Sequence, residues 1–313
     1  MYFGSVRFYK HIILLFLFLV IVTPYAVSVC LFTKNINLRN QIIDTQTNIQ
    51  SNVLAVPIIP NEISSTILNV TESNEINMEF VREGLPYQQK YDDLYAERNS
   101  FINTSSDKKM AYLTFDDGPS ELTLKILDIL DKYNIKATFF VVYKDDEVSL
   151  SIYKEIVKRG HTIGMHSSSH VYKQIYSSVD SYLDDIDKLY KHLYNVTDIK
   201  PNIFRFPGGS INTYNMNIYQ EIIAEMIRRG FVYYDWNVSS GDAIENAKKG
   251  SIIKNVENGC QNRNNVIILM HDSKYKKNTY EALPDIIKYL NNNNYNIEKL
   301  DNTVLPITFG YLE

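Results

Sequence analysis

The residues able to do chemistry sit in five short stretches. In TFDDGPS, residues 114–120, Asp116 and Asp117 stand side by side where a strand-forming apolar run meets a Gly-Pro turn. If the backbone stays extended, the two carboxylates point to opposite sides, so one can hold a cation while the other handles protons. Taken alone, an Asp-Asp-Gly-Pro run reads more readily as a surface turn, and its weight comes from the other four stretches. In GMHSSSH, residues 164–170, His166 and His170 lie four apart, on one face if the segment opens a helix. With Asp117 they form a two-imidazole, one-carboxylate set. Three protein ligands leave a position open for water, which marks a catalytic metal rather than a structural one.

The remaining three stretches are unremarkable one at a time. FRFPGGS, residues 204–210, sets the Arg205 guanidinium beside the free backbone of Gly208 and Gly209. That pairing suits holding a carboxylate and stabilising an oxyanion, and it also reads as an arginine ion pair beside a glycine turn. SSGDA, residues 239–243, carries Asp242, and LMHDS, residues 269–273, carries His271. His161 and His192 stand outside any such constellation and read as packing or solvated histidines. Cys30 and Cys260 are the two cysteines, so neither a disulfide framework nor a thiolate site arises and any metal must use histidine and carboxylate.

Apolar strand-like runs at 112–115, 137–142, 162–165, 203–206, 231–236, 266–270 and 296–300 position these stretches, with helical patterns between them at 122–133, 182–194, 219–229 and 280–290. Near-continuous runs such as VIILM at 266–270 suit parallel strands covered by helices. The alternation predicts a barrel-like α/β domain with its reacting groups at the carboxyl ends of the strands.

The whole chain has 313 residues, 45% hydrophobic and 22% charged, with a net charge of −4, which leaves room for one globular catalytic domain and gives no footprint for nucleic acid. Its 24 tyrosines, with abundant Asn, Ile and Lys, read as a composition bias as much as a functional signal. Residues 11–33 form an apolar run long enough to cross a bilayer, longer than a cleaved leader requires, so residues 1–34 are expected to be an uncleaved membrane anchor. Arg7 and Lys10 before it nearly balance Lys34 and Arg39 after it, and the amino terminus tips the orientation toward an external catalytic domain. Residues 35–105, rich in Asn, Ser, Thr and Glu and broken by Pro57 and Pro60, read as a stalk, the alternative being that part of them packs on the catalytic domain at 106–313.

In this order, the TFDDGP, H-x-x-x-H, R-x-P-x-G, WNV-to-Asp and L-x-H motifs resemble the polysaccharide deacetylases of the carbohydrate esterase family 4 type, also called NodB-homology domains. The match runs over roughly residues 106–305. It implies a distorted (β/α)7 TIM-like barrel, one divalent metal, commonly zinc with cobalt or another ion possible, and hydrolysis of acetyl groups from acetylated sugars. By position, Asp117, His166 and His170 fall where the family has metal ligands, Asp116 where it has the general base, and Arg205 where it has the residue orienting that base. His271 matches the general acid and Asp242 the carboxylate holding it. Metal-bound water would then attack the acetyl carbonyl, Gly208 N–H would help receive the oxyanion, and His271 would protonate the leaving amine.

Where many members have tryptophan after the fourth motif's aspartate, this chain has Ala243, so an aromatic wall of the sugar groove is missing or supplied by Trp236, Tyr214 or Leu269. The anchor and the motifs together point to N-acetylglucosamine of cell-wall peptidoglycan as substrate. Chitin oligomers, exported poly-N-acetylglucosamine and O-acetylated xylan remain alternatives, as does a non-catalytic glycan-binding role.

Overall fold

The computed structural model describes residues 85–102 and 108–310. By its contacts the chain divides into Met1–Phe80 and Val81–Glu313, and every described residue belongs to the second unit. The expected anchor at 1–34 and the spacer as far as residue 84 lie outside the described residues. Among the described residues no helix is long and apolar enough to cross a membrane.

The domain is built on a parallel sheet of β1 (Lys109–Asp116), β2 (Thr138–Val142), β3 (Thr162–Ser167), β4 (Ile203–Phe204), β5 (Val232–Tyr233), β6 (Val238–Ser239), β7 (Asn265–His271) and β8 (Tyr295–Glu298). Strand order is β5-β4-β3-β2-β1-β7-β6. One edge of β1 is shared, its second half pairing with β2 and its first half with β8, while β7 pairs along the whole strand. Among the described residues no ladder joins β5 to β6, so the curled sheet is a half-barrel, open at that seam. The expected (β/α)7 alternation is present, with β4 and β5 shorter than the sequence runs and β6 an addition to them.

The helices are α1 (Glu121–Lys132), α2 (Glu147–Lys158), α3 (Tyr172–Ile175), α4 (Val179–Thr197), α5 (Tyr219–Arg228), α6 (Lys249–Cys260) and α7 (Lys277–Asn292). Three begin on side-chain caps, Ser120, Asp146 and Ser178, each accepting from a backbone N–H of the first turn. α2, α3 and α6 lie outside the helical patterns of the sequence. α6 buries only Ile252, Val256 and Cys260, and Gly259 lets it lie so close to β6 that a Cβ there would fall 2.7 Å from Val238.

The two-residue period of the strands separates two apolar layers. Ala111, Leu113, Phe115, Phe139, Val141, Ile163, Met165, Ile268 and Met270 face the helices in the large core. Met110, Tyr112, Phe140, Ile203, Tyr234 and Ile267 fill the inside of the curl with Leu300. Each such fully buried side chain contributes about 1.5–3 kcal/mol of transfer free energy. Continuing the inner period upward from Tyr112, Ile203 and Ile267 arrives at Asp116, Arg205 and His271, so the same alternation that seals the core delivers three polar side chains to its mouth.

Part of the stretch read as a stalk packs on this domain. Leu94 is fully buried. The buried Arg229, paired with Glu225 at 2.7 Å, donates to the carbonyls of Tyr87, Lys90, Tyr91 and Leu94 at 3.1, 2.9, 3.0 and 3.3 Å. Ala96 N–H donates to Arg229 O, and Ile102 bridges to Val304. Of the two readings of 35–105, packing holds for residues 85–102.

Candidate active site

At the end of β1 the backbone leaves extension. Asp117 adopts φ 71°, which turns its carboxylate toward the imidazoles of His166 and His170, with Oδ1 at 3.6 Å and 3.2 Å from their Nε2 atoms. One ligand atom from each of the three lies within 4.8 Å of the others. The helix expected to align the two histidines is not there. His166 lies inside β3, and a turn folds His170 back in a left-handed conformation at φ 53°, before α3 begins.

That turn is held from a distance. Asp185 on α4 accepts from Ser167 Oγ at 2.7 Å, Ser168 N at 2.7 Å and Ser169 N at 2.8 Å, and Ser167 Oγ in turn accepts from His170 N at 2.8 Å.

The donor set fits a divalent cation. Asp117 Oδ1 is buried and lacks a hydrogen bond of good geometry, its nearest polar neighbour being His170 Nε2 at 3.2 Å, an arrangement that a cation between the three side chains would complete. His166 Nδ1 lies 2.8 Å from Arg205 O, a carbonyl that can only accept, so the proton sits on Nδ1 and the Nε2 lone pair faces Asp117. Burial holds the His166 pKa below its ordinary value, which keeps the ring neutral and able to ligate. Burial also opposes charge on His170, but the Asp117 carboxylate outweighs it and moves that pKa up. Asp117 responds in kind: burial would raise its pKa, and the two histidines hold it well below the carboxylate range.

Asp116 is buried at the mouth of the curl, and its Oδ1 accepts from Arg205 Nη1 at 2.9 Å. Arg205 is itself fully buried. It donates to Thr114 Oγ1 at 2.7 Å, Tyr234 O at 2.8 Å and Asp235 O at 3.1 Å, and stacks 4.3 Å over the Phe140 ring. So fixed, the guanidinium can orient one carboxylate oxygen and leave the other free.

In register with Asp116 across β1 and β7 stands His271. Its Nδ1 lies 2.8 Å from Asp242 Oδ1, while Asp242 Oδ2 accepts from His271 N and Thr279 Oγ1, both at 2.8 Å. Burial alone would lower the His271 pKa, but Asp242, with smaller help from Asp116 and Asp117, raises it to about 9. At neutral pH the ring is therefore an imidazolium, a proton donor whose Nε2–H is left for another group.

Side-chain contacts join Asp116, Asp117, His166, His170 and Arg205, the β1–β7 register sets the His271–Asp242 pair beside them, and Gly208 reaches the cluster through Tyr172. It is exposed at φ 76°, where a Cβ would meet the Tyr172 ring at 2.7 Å, and that ring packs edge-on against His170 at 5.4 Å. His161 and His192 are packing residues. His161 Nδ1 accepts from Ala137 N, and burial lowers its pKa to about 4, while His192 bonds Lys144 O between Tyr143 and Tyr153.

Several residues of the site carry no motif. Asp235 accepts from Ser210 N at 2.8 Å and Phe309 N at 2.7 Å, fixing the loop after Arg205. Asp272 is buried against Gly118, where a Cβ would lie 2.3 Å from its carboxylate, and its N–H donates to Asp116 O. Burial raises the Asp272 pKa to about 7. Its position next to His271 was the one available clue.

Residues 103–227 match the family model described as polysaccharide deacetylase. A peptidoglycan-N-acetylglucosamine deacetylase of Bacillus cereus is 30% identical over 215 residues, covering 66% of this chain and 74% of that protein. The chain belongs to the polysaccharide deacetylase family. Solved deacetylase structures carry the same likeness into three dimensions. The catalytic domain of a peptidoglycan N-acetylglucosamine deacetylase from Eubacterium rectale superposes with a TM-score of 0.63 at 37% identity, over 69% of this chain and 97% of that one. A polysaccharide deacetylase of Bacillus cereus gives a TM-score of 0.58 at 28% identity, over 64% and 97%. The deacetylase half-barrel is thus shared, and with it comes membership of a family of hydrolases.

Proposed function

We propose that this deacetylase removes the acetyl group from N-acetylglucosamine in cell-wall peptidoglycan, using one divalent metal, zinc by preference, held by Asp117, His166 and His170. The observation that carries the reading is the convergence of that cluster with two separately buffered acid–base groups, Asp116 on Arg205 and His271 on Asp242. When bound, the cation supplies a Lewis acid that polarises the acetyl carbonyl and acidifies water.

The protein's own residues do the rest. Asp116, its Oδ1 engaged by Arg205, takes the proton of the attacking water on its free oxygen. Gly208, by its place in the R-x-P-x-G motif, would lend its backbone N–H to the developing oxyanion. His271 gives its Nε2 proton to the departing nitrogen, a step an amide requires because an unprotonated amine is a poor leaving group, and Asp242 keeps the ring oriented throughout. Nitrogen and carboxylate donors around an open position favour zinc over magnesium or calcium, which prefer all-oxygen shells.

Peptidoglycan as the polymer is supported by the two N-acetylglucosamine deacetylases above and by the apolar run at 11–33, which would fix the enzyme to the membrane with its catalytic domain outside, beside the wall. The test offers the metal-loaded protein wall glycan, chitin oligomers and acetylated xylan, and follows acetate and new free amine. Acetate from wall glycan that stops on adding chelator and returns with zinc is expected; turnover of xylan or chitin alone would reject the substrate.

A further inference from the structure

Asp272 follows the proton donor in the chain and is fully buried. Its hydrogen bonds run to one short segment. The N–H donates to Asp116 O at 3.1 Å, the carbonyl accepts from Ser120 Oγ at 2.5 Å, and Oδ2 accepts from Thr123 Oγ1 at 2.5 Å. Ser120 and Thr123 start α1, Leu122 N donating to Ser120 Oγ and Ser120 N to Thr123 Oγ1. One residue thus grips the turn from Asp116 to Ser120 at both ends, and Asp117 and Gly118 lie between them.

Gly118 shows what that grip requires. Its backbone is not in the left-handed region that favours glycine, yet a Cβ on it would fall 2.5 Å from Asp272 Oδ1 and 2.7 Å from Cγ. Glycine is there for room. The turn cannot back away, because on the β2 side Gly118 O accepts from Val142 N at 2.8 Å and Pro119 O from Lys144 Nζ at 2.5 Å. Asp117, directly before Gly118, holds φ 71°, which a residue with a side chain keeps only where its surroundings fix it. Asp272 Oδ1 is buried without a hydrogen bond, a state that weakens a fold, so stability does not account for the carboxylate.

We propose that Asp272 is a positioning residue for the metal-binding turn. Packed on Gly118 and bonded to Asp116, Ser120 and Thr123, it holds Asp117 at the angle that aims its carboxylate at His166 and His170, and it keeps Asp116 in step with His271. It acts through the turn and not on the reacting atoms. The inference rests on the metal reading of that cluster, and it assigns part of the ion's affinity to a carboxylate that does not ligate it.

The experiment uses the full chain. Competition against a chelating dye gives the zinc Kd, acetate release from wall glycan gives kcat and KM, and thermal unfolding of metal-free protein shows that each variant folds. Asp272→Ala is expected to weaken zinc by about 10- to 100-fold and to lower kcat with little change in KM. Asp272→Asn, which keeps the shape and an oxygen for Thr123, should restore a zinc Kd close to wild type. Gly118→Ala strains the same contact from the other side and should weaken zinc by a similar factor. In the Gly118→Ala, Asp272→Ala double variant the methyl enters the space the carboxylate left, so the loss should not exceed that of Asp272→Ala alone. Independent losses would multiply, to about 10² to 10⁴-fold. If Asp272→Ala does not fold, Asp272→Ser vacates the same space in both arms. Wild-type zinc affinity in Asp272→Ala, an Asp272→Asn loss as deep as that of Asp272→Ala, or multiplying losses in the double variant overturns the role. The expected zinc pattern without acetate release keeps the role and rejects the activity; acetate release with zinc affinity indifferent to Asp272 does the reverse, and a wild type that takes up no zinc rejects both.

Discussion

The two halves of the site differ in how finished they are. At the His271 corner every oxygen of Asp242 is occupied, by ring, backbone and the Thr279 hydroxyl, and the histidine is charged and aimed without further help. Around Asp117 a buried oxygen faces two imidazole nitrogens at 3.6 and 3.2 Å without a well-formed hydrogen bond, two residues sit in left-handed backbone, and the pKa values of His166 and His170 move in opposite directions. Hydrogen bonding completes one corner, whereas the other is left for the proposed cation to complete.

The largest expected effect attacks the unfinished corner. A His166→Ala, His170→Ala double variant should lose its metal to background in elemental analysis and its activity with it, because the one carboxylate left cannot hold the ion. Near-stoichiometric metal in that variant would remove the contrast between the two corners.

A smaller loss is expected from Asp116→Asn, which leaves the ligands in place. Metal content should be retained while kcat falls by about 10² to 10⁴-fold, the range for a general base. If the ion were lost as completely as in an Asp117→Asn variant, the two adjacent carboxylates would share one role.

The finished corner predicts the smallest effect, read as stability in metal-free protein. The folded-state pKa of His271, about 9, lies above its ordinary 6.5. Its stabilisation is therefore full below about pH 6.5 and lost as pH rises through about 9, on the order of 3 kcal/mol at most. Thermal unfolding of wild type should weaken across that window, and His271→Gln should flatten the slope; equal slopes would mean that Asp242 does not hold the charge.

How much of this was legible in the sequence follows from the range of each interaction. Strand runs and their ends could be read because burial imposes a period of two and because Asp, His and Arg at such ends stand out against apolar neighbours. The His-x-x-x-His spacing singled out a pair that the fold brings together but with the wrong geometry, since helix and turn can both join residues four apart. Asp185, Asp235 and Asp272 left no pattern, because each acts on loops that adjoin it only in the fold, as when Asp272 packs on Gly118. The stretch at 85–102 looked like spacer for the same reason: the group that seats it, Arg229, lies more than a hundred residues away.

That seat also decides where a mechanical load would enter. A pull on the chain ahead of Leu85 meets the Arg229 guanidinium and its four carbonyls, with Arg228 on Gln88 O at 3.3 Å and the Lys90–Asp180 and Tyr91–Asp184 contacts beside them. Arg229 ends α5 and leads into β5, the outermost strand of the order and four places from β1. Tension on a tether would thus be borne at the rim of the sheet, with Asp116 and Asp117 shielded from it by three intervening strands.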